Sequence, residues 1–288
     1  MADAPAHLLL PVAQSGTPEV MTPTWASSSR VELERTFLEN FTDFEPSAPP
    51  WQHHYGHDGP QTIEGRTLIS NAERQIYVDP DFKGMANRVL GLDPFEVSEG
   101  VLRITGDKAP SDVLPFLGGY DLVSGLLSTQ GHFEQQYGYF EARMRVPIGQ
   151  GLWPAFWMKS SAKRADTNLP DWPPEIDVME FIGGQPDRYY VTVHWDFVPN
   201  EKKSSVSYPV NGIGTTFRNF GVLWTRERTA FYLDRVPHHV IETKPNHHVP
   251  MFMLINLALG GEWPGPVDHR ALPASLEVDW IAAWQLED

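Results

Sequence analysis

The sequence predicts an all-β fold, a sandwich or barrel of short strands, and three observations carry that prediction. Short segments alternate apolar and polar residues, as in Tyr139-Phe140-Glu141-Ala142-Arg143-Met144-Arg145-Val146 and Tyr190-Val191-Thr192-Val193-His194-Trp195. Gly, Pro, Asp and Asn punctuate these segments where turns must form. No long stretch keeps a helical period, so many short strands must pack face to face.

Taken in order, residues 1–30 are rich in Ala, Pro, Ser and Thr and read as a flexible N-terminal arm. Residues 31–288 read as one domain, strand-like from Arg35 onward. The pattern allows a short helix near 71–77 or 80–90. Val101-Leu102-Arg103-Ile104 and Ala230-Phe231-Tyr232-Leu233 add further strands, and there is no internal repeat. A chain of 288 residues fits a single large β domain.

A net charge of -15 argues against nucleic acid and against an anionic membrane surface as partners. With no cysteine, disulfides and thiolate metal sites are excluded. No apolar run reaches the ~18 residues that a membrane span needs. The only apolar stretch near the start, Leu8–Val12, has no basic residue before it and makes a poor export signal. Ten Trp, nine Tyr and fifteen Phe exceed what a core requires, and sugar rings stack on such planes.

The chemistry concentrates in Glu175-Ile176-Asp177-Val178-Met179-Glu180. On a strand Glu175 and Asp177 share one face, while regular alternation sends Glu180 to the other. A one-residue β-bulge near Val178–Met179 returns Glu180 to the acidic face, and bulges accumulate beside active sites. Three carboxyls would then point into one cleft. Retaining hydrolysis of a glycosidic bond needs two carboxyls about 5–5.5 Å apart, a nucleophile and an acid/base. Like charges so close keep at least one proton bound near neutrality, as a general acid requires. An exposed acidic edge strand would not carry the flanking Ile176, Val178, Met179, Phe181 and Ile182.

This segment resembles the E-x-D-x-x-E signature of glycoside hydrolase family 16, in the spacing of its laminarinase-like and exopolysaccharide-glycanase branches. Tyr137–Met144, Gly151–Met158, Ser124–Thr129, Leu254–Gly261, Trp263–Gly265 and Glu277–Ile281 resemble other segments of that family. The likeness runs from about residue 35 to 286. It implies a β-jelly roll of two curved antiparallel sheets with an open concave cleft. It implies Glu175 as nucleophile, Asp177 as its helper and Glu180 as acid/base. Asn71, next to Glu73, would bind a sugar; Trp153, Trp157 and Trp263 would stack on sugars. His194 would lie near the acid/base. Asn256 is either a satisfied buried amide or a cleft contact.

The resemblance also implies a convex-side calcium held by Glu39, the Gly100 carbonyl and Asp279, and no organic cofactor. The His53, His54, His57 and Asp58 cluster, like the pairs 238–239 and 247–248, lacks metal-site spacing. Leu126 stands where many family members have a basic, substrate-contacting residue. Segments 160–174 and 196–210 read as cleft-shaping loops, the second with Lys202 and Lys203. The expected activity is endo-hydrolysis of a β-1,3- or mixed β-1,3/1,4-glucan by a monomer acting outside the cytoplasm. Depolymerisation of a bacterial exopolysaccharide or galactan, transglycosylation with the same residues, and non-catalytic polysaccharide binding are the alternatives.

Overall fold

A computed structural model of the chain describes residues 4–11, 30–55, 59–162, 173–196 and 201–286. In chain order the first strands are β1 (His7–Pro11), β2 (Arg30–Glu39), β3 (Gln75–Tyr77), β4 (Phe95–Ser98), β5 (Val101–Lys108) and β6 (Leu122–Ser124). Then come β7 (Leu126–Ser128), β8 (Gly138–Arg145), β9 (Leu152–Lys159), β10 (Glu175–Glu180), β11 (Arg188–Asp196) and β12 (Lys202–Pro209). The last are β13 (Arg218–Trp224), β14 (Arg228–Leu233), β15 (Val236–Glu242), β16 (Phe252–Leu259) and β17 (Ala274–Leu286). They form an eleven-stranded sheet, β15-β14-β13-β8-β17-β5-β6-β3 with β1, β2 and β4 alongside, and a six-stranded sheet, β12-β11-β10-β9-β16-β7. This is the expected all-β sandwich. Among the described residues the only helical pieces are 3-10 turns, and 75–77 is strand β3, not helix.

Strand alternation builds the core between the sheets. Phe140, Ala142, Met144, Val222, Val278 and Ile281 come from the larger sheet; Phe156, Met158, Ile176, Val191, Val193, Ile255 and Leu257 come from the smaller. Alternate residues of the smaller sheet, among them Trp153, Asp177, Thr192 and His194, therefore line a groove on its other face. The chain switches sheets between β6 and β7 at Gly125. A Cβ there would lie 2.7 Å from both Ile104 and Phe95, so only glycine fits the crossing.

The N-terminal stretch is not uniformly a free arm. β1 pairs antiparallel with β2. Ala4, Leu8 and Leu10 are buried on a second apolar cluster with Tyr139, Tyr232, Trp280 and Trp284, on the outer face of the larger sheet. Trp284 and Tyr232 donate hydrogen bonds to the carbonyls of Pro5 and Pro11 at 2.9 Å each. Those apolar residues need cover, and the N-terminal leucines supply it. Residues 12–29 lie outside the described residues.

A third cluster, with Ile76, Val78, Phe82, Leu90, Leu92 and Val113, forms a small lobe at one side of the groove. Arg66 is buried there, paired with Asp79 at 2.5 Å and lying 4.6 Å over the Phe82 ring.

Candidate active site

β10 carries the bulge. Asp177 pairs with Trp157 and Met179 with Phe156, so Val178 has no counterpart on β9. The register on the β11 side shifts over the same residues. Ile176, Val178 and Met179 all point into the core. Glu175, Asp177 and Glu180 all line the groove. One extra residue thus converts a strand that would split its carboxyls into one that gathers them.

Both oxygens of Glu180 are held. Trp153 Nε1 donates to Oε1 at 3.2 Å and Thr192 Oγ1 donates to Oε2 at 3.3 Å. Burial and repulsion from Asp177 and Glu175 nevertheless push the Glu180 carboxyl well above its ordinary range. Burial, then Asp177, raises Glu175 to about 7, against the pull of Lys159 and His194. Burial raises Asp177 to about 8, against Lys203 and Lys159. The shared cause is desolvation of three anions in one water-poor groove.

His194 sits opposite Glu175 in the β10–β11 register. Its Nε2 lies 3.2 Å from Asp177 Oδ2 and 4.0 Å from Glu175 Oε1; its Nδ1 faces Glu201 Oε1 at 3.2 Å. The imidazole is also among the groups that act electrostatically on Glu180. Thr192, two residues earlier on the same face, is the β11 side chain that hydrogen-bonds Glu180. His247 is buried behind the strand, with Nε2 3.3 Å from the Glu175 carbonyl oxygen.

The aromatic residues divide. Trp263 is 41% exposed, packed edge-on against Trp153 at 5.4 Å and Tyr190 at 4.7 Å, so these three rings form a wall of the groove. Trp157 is only 6% exposed and packs with Tyr77, Leu126, Ala155, Phe252 and Leu254. Its indole N–H donates to Asn256 Oδ1 at 2.8 Å, and Asn256 Nδ2 donates to Tyr77 OH at 2.9 Å. Trp157 is therefore part of the floor and not a free stacking plane. Asn256 is a satisfied buried amide at the groove's edge. Asn71 lines the groove, and its side chain hydrogen-bonds buried Glu73. Ala72 between them adopts left-handed φ 55°, the kink that turns both side chains inward.

Tyr190, Thr192, Ser205, Glu201 and Glu262 line the groove and were not singled out from the sequence. The period-2 pattern of β11 was a signal for the first two, since they alternate with buried Val191 and Val193. Glu201 and Glu262 sit outside any periodic segment. Leu126 is fully buried and reaches no groove. Lys202 lies 3.7 Å from Asp196 and Lys203 2.9 Å from Glu201. Residues 163–172 and 197–200 of the two expected loops lie outside the described residues.

The residues expected to hold calcium are partly engaged by protein groups. Glu39 accepts from the Phe41 amide at 2.7 Å and from Trp51 Nε1 at 3.0 Å. Asp279 Oδ2 pairs with Arg143 at 2.5 Å, and Gly100 lies in the β4–β5 turn. Calcium takes six or more hard oxygen ligands, and here both Glu39 carboxyl oxygens and one Asp279 oxygen already have protein partners. His53 faces the carbonyls of Leu126 and Pro46, and His238 contacts Tyr189 OH. His57 and Asp58 lie outside the described residues.

The sequence profile of the family described as "Glycosyl hydrolases family 16" matches residues 87–282. The chain belongs to that family. It is 38% identical over 224 residues to the endo-1,3-1,4-beta-glycanase ExsH of Rhizobium meliloti, covering 78% of this chain and 46% of that protein. It is 36% identical over 265 residues to EglC of the same organism, also described as an endo-1,3-1,4-beta-glycanase, covering 90% and 53%. The chain thus spans about half the length of these relatives. The structure of an endo-beta-1,3-glucanase from Pyrococcus furiosus superposes with a TM-score of 0.71 at 25% identity, covering 94% of this chain and all of that one.

Proposed function

We propose that this chain is a retaining, endo-acting hydrolase of a β-1,3- or mixed β-1,3/1,4-glucan. One observation carries the reading. A single bulge at Val178 turns Glu175, Asp177 and Glu180 into one groove while their neighbours fill the core. The names of the relatives favour a β-glucan, and a groove walled by aromatic rings suits a long sugar chain.

In this reading the Glu175 carboxylate attacks the anomeric carbon. Glu180, kept protonated by burial and by its acidic neighbours, gives its proton to the departing glycosidic oxygen. The resulting Glu180 carboxylate then takes a proton from water, whose oxygen displaces Glu175 from the anomeric carbon. Asp177, raised to about 8, holds a proton at neutral pH and orients the nucleophile by donating it. Asn71 and the rings of Trp153, Tyr190 and Trp263 bind sugars along the groove. The two carboxyls and water suffice for these steps. The unit acts as a monomer outside the cytoplasm, its catalytic domain including the strand His7–Pro11 as well as the residues from 30 onward.

The test is product analysis on laminarin, lichenan, agarose, carrageenan and a succinoglycan-like polymer. Proton NMR should show β-configured reducing ends first on a glucan, with products of intermediate length. Glu175→Gln should bind oligosaccharide yet lose at least about a thousandfold in turnover. Normal turnover in that variant, or α-configured first products, removes this assignment. Products longer than the donor would mark a transglycosylase instead.

A further inference from the structure

We propose that Glu201 is a positioning residue of this active site, acting through His194 on the Glu175–Asp177 pair; the proposal rests on the reading of Glu175 as nucleophile. Glu201 directly precedes β12, whose Lys203 pairs with His194 in the β11–β12 register. It stands at the rim of the groove between two side chains, with Oε1 3.2 Å from His194 Nδ1 and Oε2 2.9 Å from Lys203 Nζ. The other ring nitrogen of His194 faces inward, 3.2 Å from Asp177 and 4.0 Å from Glu175.

A neutral imidazole has one N–H and serves one of these sides only. A second proton serves both, and an ionised Glu201 favours that charged form. The positive ring then lies across from the nucleophile and favours its carboxylate. The charged and titratable groups around the pair are Glu180 on β10, Lys159 on β9, His194 on β11, Glu201 and Lys203 at β12, His247 in the turn Pro245–His247, and Tyr55. Of these, Lys159 and His194 oppose the rise of Glu175, while Glu201 by itself adds to it. The direct and the relayed effects of Glu201 on the nucleophile therefore have opposite signs. That difference makes the role testable.

The experiment is the pH dependence of kcat/KM for the full chain and for Glu201→Gln, Glu201→Asp and His194→Gln on one oligosaccharide. Loss of the relay should move the acid limb of Glu201→Gln upward by about one pH unit, with KM little changed above that limb. Glu201→Asp should return the limb toward the parent. In a His194→Gln background the added Glu201→Gln should give no upward shift. A limb that stays in place or moves to lower pH in Glu201→Gln overturns the proposal, as does an equal defect in Glu201→Asp. Glu175→Gln is run alongside; if it keeps turnover, the active-site reading has failed and not the relay alone.

Discussion

Trp153 and Glu180 meet across neighbouring strands, with the indole N–H donating to one carboxyl oxygen at 3.2 Å. This bond favours the charged form of Glu180, against the burial that raises it. Trp153→Phe keeps the ring and removes the donor. The alkaline limb of the kcat profile should then move to higher pH. Turnover near neutrality should fall about tenfold, because a carboxyl that holds its proton more tightly is a poorer acid. A pH–rate series comparing the two proteins measures both effects; an alkaline limb that moves down would contradict the assignment of Trp153.

Much of this site was legible before any coordinates. The E-x-D-x-x-E spacing demands an extra residue to gather its carboxyls, and the flanking Ile176, Val178 and Met179 show that the strand's other face is core. What escaped was the set of contacts that depend on which strands become neighbours. The sequence offered His194 near the acid/base, but not that register sets it directly opposite Glu175 and 3.2 Å from Asp177. Trp157 reads like Trp153 in sequence, but it lies farther along β9 against the Tyr55 and Tyr77 rings, where it forms floor and not a free plane. The pairing of Arg143 with Asp279 crosses 136 residues, a separation at which local sequence carries no signal. β1 was hidden because its leucines are few; they matter only through the apolar outer face formed by β8, β14 and β17.

The acid limb of the wild-type profile follows from Glu175. Its carboxyl is raised to about 7, so the nucleophile takes up a proton as pH falls through that value. kcat/KM should therefore decline below about pH 7, well above the range of an ordinary glutamate. On the alkaline side activity should persist beyond neutrality, because Glu180 holds its proton there. A full profile between pH 4 and 10 checks this, and an acid limb near pH 4 would show that the groove admits more water than its burial implies.

Deleting Val178 tests the bulge itself. Without it the strand reads Glu175-Ile176-Asp177-Met179-Glu180, and regular alternation alone keeps Met179 in the core and Glu180 in the groove, one residue nearer Asp177. The deletion should therefore keep measurable turnover, while the folded state loses a few kcal/mol because one of the two consecutive core side chains is gone. The control is Val178→Ala, which keeps the count of residues. It should lose about 1–3 kcal/mol in urea titration yet retain most of its turnover. Complete loss of turnover in a folded deletion variant would mean that the bulge itself, and not only the face on which Glu180 lies, sets the working geometry.

Glu73 gives a stability prediction separate from catalysis. It is buried beneath Asn71, accepts from the Leu68 amide and Gln75, and is raised to about 7 by burial despite those bonds. Unfolded, the same carboxyl titrates near 4.5, so between the two values the folded chain binds a proton that the unfolded chain has released. This contribution is fully present below pH 4.5 and is lost as pH rises through 7. The cost of ionising it at pH 8 is on the order of 3 kcal/mol. Glu73→Gln cannot ionise, so its stability relative to the parent should improve steadily from pH 4.5 to 8 in paired urea titrations. A difference that stays flat over that range would show that Glu73 is charged in the folded chain, and that the left-handed turn at Ala72 holds an anion next to Asn71.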